Sequence, residues 1–498
     1  MPTQLKNDVF AGFSVFLLAL PLCLGIALAS GFPAVSGILS AIVGGLIASF
    51  FGGAQLSIKG PAAGLIVIAL GAITQLGYEA TLAVGVVAAC IQILIGVTRK
   101  AIIAEVMPPA VIHGMLAAIG IIIVSQQAYV MMGLTPEHAK PLELLWNLPF
   151  AIGDANPIIF GLGVLALVIA IIWPLLKKVA FIPSTIVILL ITIPLSLYFN
   201  LNITDPELLI NIPSNILGAL AFPDFSMILS PISIKYIIMF ALVGSIESLL
   251  TVCAIDSIAR QTHHSDLNKD LRAVGMGNLA SSLIGGLPMI SEIVRSKANI
   301  DYGATSIRAN FFHGLFMLIA VIIFPSVMNL IPLSALAALL IFVGLKLAAP
   351  TQFVHAYTVG KDQLAIFLVT LFVTLFTDLL IGVLTGVILK LVIHMARGNN
   401  LMQLFSPITT VQKSDDTIHI IIDGPLTFLG YMKLRNIIAK ASKEASHIIV
   451  DLDAITYLDY TVFNKIQTLP NEFEGVQISI EGNQELSHFY RERHNRIH

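Results

Sequence analysis

A few groups able to carry charge or ligate an ion stand inside an otherwise apolar chain, and their spacing limits the chemistry open to them. Glu247 lies in IMFALVGSIESLLTV (Ile238–Val252), with apolar residues on both sides. An ionised carboxylate in hydrocarbon is costly, so it must meet a wet cavity, a cation or a proton. Thr251 follows at i+4 on the same helical face and Ser248 stands next to Glu247. Together these oxygens suit a hard cation such as Na+, or a proton relay. In GGLPMISEIVRSKAN (Gly285–Asn299), Glu292 and Arg295 are three apart, which makes them helical neighbours able to form an ion pair. A guanidinium one turn into a helix can also reinforce the dipole or hold a planar oxyanion through two N–H groups. Lys59 opens KGPAAGL (Lys59–Leu65). It either balances Glu247 or Glu292 or extends to cytoplasmic water, and the sequence leaves these open.

Proline with glycine can start a helix partway across a membrane, leaving free N–H groups and the positive dipole end aimed inward. Such an end is a seat for an anion. Ala62, Ala63 and Gly64 put no bulk over those N–H groups, so a compact oxyanion could approach the backbone; small residues also serve tight helix packing. KGPAAGL and GGLPMISEIVRSKAN are two such interrupted segments at corresponding places, the pattern that marks the binding site of inverted-repeat transporters.

The elements that must position these groups are membrane helices. With 57% hydrophobic and 11% charged residues among 498, the chain carries more apolar surface than a soluble fold can bury, so the lipid bilayer must cover much of it. A helix needs about 20 apolar residues to cross the hydrocarbon. Eleven stretches qualify, from Val9–Ala29 to Leu379–His394, and the first is expected to persist as a span instead of being removed as a signal peptide. Three segments, Ala62–Leu76, Ala273–Ile284 and the one after Pro288, are too interrupted by Gly and Pro to be ordinary spans. The count reaches about fourteen crossings. Basic residues gather after even-numbered crossings, at Arg99-Lys100, Lys177-Lys178, Arg260 to Arg272 and Lys361, with Lys140 the main exception; both termini are therefore expected on the cytoplasmic side.

After Gly398-Asn399-Asn400 the composition turns polar, which divides the chain into a transmembrane transport domain, 1–398, and a small soluble domain, 399–498. Thr417–Asp423, His447–Asp453 and Val476–Glu481 read as strands, with Met432–Ser442 and Tyr460–Leu469 as helices and a charged terminal helix. A net charge of −2 without basic tracts gives no reason to expect nucleic acid as a partner. Cys23, Cys90 and Cys253 lie in apolar runs without ligand spacing, so neither disulfides nor zinc are expected. The Gly-x-Gly in GMGNLASSLIGG (Gly275–Gly286) follows no strand, and His263-His264 reads as a solvated loop. No catalytic triad or cofactor site can be assembled, so an enzyme is not expected.

Taken in order, FSVFLLALPLCLGIALASG (Phe13–Gly31), Gly-Pro-Ala-Ala, ESLLT (Glu247–Thr251), GNLASSLIGGLP (Gly277–Pro288) and RSKAN (Arg295–Asn299) resemble the SulP, or sulfate permease, family of inorganic anion transporters. The C-terminal region resembles a STAS domain. The resemblance implies an α-helical polytopic membrane protein with two inverted seven-span repeats, a core moving against a gate, a cytoplasmic α/β STAS-like domain, and a homodimer. It places the anion between the starts of spans three and ten, at Ala62, Ala63 and the run Ser291, Glu292, Ile293, Val294 and Arg295. It makes Glu247 the acidic coupling position, with Thr251 matching a Na+ ligand. Ala19-Leu20-Pro21-Leu22 departs from the family's Gln-Leu-Pro-Gln, which shifts anion contacts toward backbone. A carboxylate at Glu292 stands where relatives have a small residue and opposes an anion unless protonated or paired. LDYTVF (Leu458–Phe463) lacks the serine of phosphorylated STAS antagonists.

The expected function is secondary active transport of a small inorganic oxyanion across the inner (cytoplasmic) membrane, bicarbonate before sulfate, in symport with Na+ or H+ through Glu247. A channel or exchanger would need no buried acid, and a nucleobase carrier would need more polar groups than Ala19 and Leu22 provide.

Overall fold

The structure is a computed structural model that describes residues 2–99, 101, 107–136, 140–176, 182–213, 215–259, 265–396, 407–414, 416–469 and 476–482. His263-His264 and the charged segment at the end of the chain lie outside them. The chain forms two compact units, Met1–Ala104 with Ala118–Ala348, and Glu105–Ala117 with Ala349–His498.

In chain order the membrane elements are α1 (Pro2–Ala29), α2 (Ala34–Leu46), β1 (Ile58–Pro61), α3 (Ile66–Leu76), α4 (Tyr78–Val97), α5 (Pro109–Met131), α6 (Pro157–Ile172), α7 (Ser184–Tyr198), α8 (Pro231–Ala259), α9 (Leu267–Leu283), β2 (Met289–Glu292), α10 (Ile293–Asp301), α11 (Arg308–Ile323), α12 (Leu333–Leu347), α13 (Lys361–Phe376) and α14 (Leu379–Ala396). Among the described residues eight helices are long and apolar enough to cross a membrane. The others are shorter, and two of them, α3 and α10, each follow a four-residue strand. The chain is thus a polytopic, predominantly helical membrane protein with helical elements in the order expected.

Ala273–Ile284 departs from expectation, because α9 runs unbroken from Leu267 to Leu283 with Asp266 accepting the Lys269 N–H at its start. Its glycines are places of close approach: a Cβ on Gly275 would press on Ile93 and the Ala89 carbonyl of α4, and one on Gly277 on Met289. Small residues let membrane helices meet backbone to backbone, and here the same composition that suggested a break serves contact. Gly45 of α2 and Gly314 of α11 meet in this way.

In the second unit the last helices are followed by a small α/β layer. Its strands are β3 (Ile408–Ser414), β4 (Thr417–Leu426), β5 (His447–Asp451), β6 (Ile455–Leu458) and β7 (Gln477–Glu481), with helices α15 (Phe428–Ala441) and α16 (Tyr460–Thr468). The order is β3-β4-β5-β7, with β6 also pairing β4, and only the β3–β4 pair is antiparallel. Ile418, Ile420 and Ile422 alternate inward from β4 and pack with Leu434 and Ile438 of α15 and Val450 of β5. The strand and helix expectations hold within a few residues, but β3 and β6 were not foreseen. ITTVQKS is polar and at the sheet's edge, and ITYL is too short to show a period.

Lys390 of α14 reaches this layer. Its ammonium lies 2.9 Å from Asp459 Oδ1 and 2.9 Å from the Thr461 hydroxyl, while His394 Nε2 is 3.6 Å from Asp459 Oδ2. Asp459 also caps α16 by accepting the Thr461 N–H at 3.2 Å. Burial alone would push the Asp459 carboxyl up, but the charges of Lys390 and His394 hold it well below the usual carboxylate range.

Candidate functional site

β1 and β2 pair antiparallel in the middle of the first unit, in the register Ile58 with Glu292, Lys59 with Ser291, Gly60 with Ile290, and Pro61 with Met289. Two strands surrounded by apolar helices expose backbone groups that lipid cannot satisfy, so the neighbouring helices must supply partners. They do so with short polar side chains. Asn310 of α11 accepts the Lys59 N–H at 3.2 Å and donates to the Gly44 carbonyl at 2.9 Å. Asn278 of α9 bonds both the N–H and the carbonyl of Met289. The Ser248 hydroxyl of α8 accepts the Ser291 N–H at 3.2 Å, and Ser296 of α10 accepts the Ile58 N–H at 2.8 Å. The ribbon is thereby held from four helices, and each of its strands leads into a short helix.

After β1, Gly-Pro closes the strand instead of opening the helix. Pro61 is in the ladder, and Ala62 is extended, with φ −118° and ψ 143°. The helix begins with a 3-10 turn at Ala63–Leu65, in which the Leu65 N–H returns to the Ala62 carbonyl, and continues as α3. Ala62 and Gly64 are buried and Ala63 is half-buried. After β2, α10 begins at Ile293. Ser291 is buried, whereas Ile293 and Val294 are 43% and 48% exposed and stand open at the helix start.

Glu247 and Gly64 meet. The Glu247 side chain, 8% exposed, lies so close to Gly64 that a Cβ there would overlap its carboxylate, and its Oε1 has no hydrogen-bond partner among the described residues. The acid of α8 therefore stands at the opening of the first interrupted helix. Ser248 is already engaged with β2, and Thr251, also buried, follows one helical turn after Glu247.

Two expectations for charged groups are revised. Glu292 and Arg295 do not form a side-chain ion pair. The Glu292 carboxylate accepts the backbone N–H of Arg295 at 2.9 Å and so caps its own helix. The Arg295 guanidinium is fully buried and turns to the first repeat, donating from Nη2 to the Pro61 carbonyl at 3.1 Å, with Nη1 against Gly60 and the Cys23 thiol of α1 beside it. Its Nε and Nη1 have no acceptor among the described residues. Lys59 pairs with neither Glu247 nor Glu292 and does not reach water: its ammonium lies 2.8 Å from Asp270 Oδ1 on α9.

Asp270, Asn278 and Asn310 were missed as part of this site. Asp270 looks like a residue of a charged loop, but a lone lysine in an apolar block demands a counter-charge, and that demand was the available signal.

Residues 5–370 match the model of the sulfate permease family. The protein of Bacillus subtilis (strain 168) named "Putative sulfate transporter YvdB" is 25% identical over 469 residues, covering 92% of this chain and 87% of its own. The bicarbonate transporter BicA of Picosynechococcus sp. (strain ATCC 27264 / PCC 7002 / PR-6) is 27% identical over 433 residues, covering 84% and 74% respectively. Among solved structures, the transmembrane domain of a cyanobacterium bicarbonate transporter BicA matches 77% of this chain and 97% of its own with a TM-score of 0.66 and 23% identity. SLC26A9 matches 98% and 86% with a TM-score of 0.71 and 14% identity, a likeness of fold. Paired strand-to-helix units in a polytopic helical fold, with a family match over most of the length, give one conclusion: the chain belongs to the sulfate permease family, whose members are transporters and not enzymes.

Proposed function

We propose that this chain is a secondary active transporter of a small inorganic oxyanion, bicarbonate before sulfate, in symport with Na+ or H+ through Glu247. The observation that carries the reading is the Glu247 carboxylate lying against Gly64 where the first interrupted helix opens. An anion approaching the N–H groups around Ala62, Ala63 and Gly64 meets that carboxylate, so a cation captured at Glu247 favours the anion and the anion favours the cation. Glu247 Oε1 is a buried acceptor without a hydrogen-bond partner among the described residues, and with the Thr251 hydroxyl one turn away it fits Na+ or a proton. Ser291 through Val294 border the second helix start, and Arg295 supplies positive charge from behind the ribbon instead of a direct contact. Bicarbonate is favoured because the site offers mainly backbone and apolar groups, with one buried guanidinium lending charge from behind the ribbon; the names of the relatives support both anions.

The same reading places the chain in the inner (cytoplasmic) membrane as a homodimer with both termini cytoplasmic. Residues 1–398 form the transport domain and 399–498 a STAS-like domain that regulates it.

The test is uptake of labelled bicarbonate and sulfate into proteoliposomes under imposed Na+ or H+ gradients. In Glu247→Gln, gradient-driven accumulation is expected to vanish while anion exchange or binding partly survives. Accumulation at the wild-type level in that variant would remove Glu247 from the coupling role.

A further inference from the structure

We infer that Glu292 is a specificity-determining residue that biases the site toward monovalent anions and against divalent ones. The inference rests on the proposal that the substrate sits between the two helix starts. Its basis is the arrangement of fixed charges around the ribbon. Lys59 of β1 and Asp270 of α9 close on each other at 2.8 Å, with neither side chain exposed, and add no net charge. Arg295 of α10 is a buried cation with no carboxylate partner among the described residues. Against it stand two carboxylates, Glu247 on α8 and Glu292 at the end of β2, whose chain neighbours Ser248 and Ser291 are hydrogen-bonded to each other at 3.2 Å. Among the described residues, Cys23 of α1 and His313 of α11 also face Arg295. With all five charged groups ionised, two cations stand against three anions, a net of −1; one coupling cation at Glu247 brings the sum to zero. Without the Glu292 charge the loaded site would stand at +1, and because every fixed-charge interaction scales with the charge of the substrate, the carboxylate withholds from a dianion twice the attraction it withholds from a monoanion.

The geometry separates this role from a structural one. Glu292 caps α10 through one oxygen on the Arg295 N–H. A cap needs only an acceptor, which serine, aspartate or an amide also provides. What the carboxylate adds is charge, half-buried, beside the open Ile293 and Val294. Glu292→Gln keeps an acceptor oxygen and removes the charge, whereas Glu292→Asp keeps the charge.

The experiment uses the full-length protein in proteoliposomes and compares KM for bicarbonate with KM, or the inhibition constant, for sulfate at fixed pH and cation gradient. Glu292→Gln is expected to shift the ratio toward sulfate by about tenfold or more, the size of a close charge–charge term in a partly screened site. Glu292→Asp is expected to stay near the wild-type ratio. An unchanged ratio in Glu292→Gln overturns the assignment. If that variant carries no flux, the thermal shifts induced by sulfate and by bicarbonate in detergent read the same ratio, and there too an unchanged value overturns it. A wild-type protein that takes up neither anion would instead strike at the proposed function, so the two failures are distinct.

Discussion

The Lys59 ammonium and the Asp270 carboxylate lie 2.8 Å apart and neither side chain is exposed. The same carboxylate accepts the Ser291 hydroxyl at 3.0 Å and the Ala54 N–H at 3.2 Å. One residue of α9 therefore holds both strands of the ribbon, at the register position where Lys59 faces Ser291.

Breaking this pair from one side leaves an uncompensated buried charge. Lys59→Met or Asp270→Asn is expected to cost about 3–5 kcal/mol, while replacing both by apolar residues recovers much of that loss, because the desolvation of two charges is removed together. Thermal unfolding of the four proteins in detergent measures it. Single variants as stable as the wild type would show that the pair contributes little.

Gly64 is where the acid of α8 meets the first interrupted helix. A methyl added there would overlap the Glu247 carboxylate, whereas one added at Gly161 of α6 meets nothing within 4 Å. Gly64→Ala is expected to lower anion uptake by about a hundredfold, in line with the cost of an angstrom-scale misplacement at a working site. Gly161→Ala is expected to transport normally. Initial uptake rates at matched protein levels decide, and normal uptake in Gly64→Ala would remove the close approach from the mechanism.

Asp459 contributes acid-sensitive stability. Because Lys390 and His394 hold its carboxyl below the usual range, its stabilising contribution is complete above the ordinary aspartate value of about 4 and is lost as pH falls below it. Asp459→Asn is expected to be less stable at neutral pH by about 3–5 kcal/mol, with Lys390 left buried and unpaired, and to lose less further stability on acidification than the wild type. Melting curves of the full-length protein at pH 7 and below pH 4 compare them. An equal acid dependence in both proteins would show that Asp459 is not the group responsible.

The membrane class, the order of the helices, the two interrupted segments and the family were all legible in the chain itself. Long apolar runs, Gly-Pro punctuation and the order of short motifs are local properties, and lipid leaves a chain few ways to bury them. Glu247 was legible for the same reason: a carboxylate within an apolar run stands out without knowledge of its neighbours. Partners were not. Spacing put Arg295 beside Glu292, yet the guanidinium crosses to the Pro61 carbonyl, 234 residues away in sequence, while Glu292 turns to a backbone N–H. Lys59 had three destinations on paper and took a fourth, Asp270, which local composition assigned to a loop. Ion pairs and hydrogen bonds act over a few angstroms in space, and only the packing of α9 against the ribbon decides which charges come within that range. The continuity of α9 was decided there too, since glycines that could have broken the helix instead admit α4 and Met289 against its backbone.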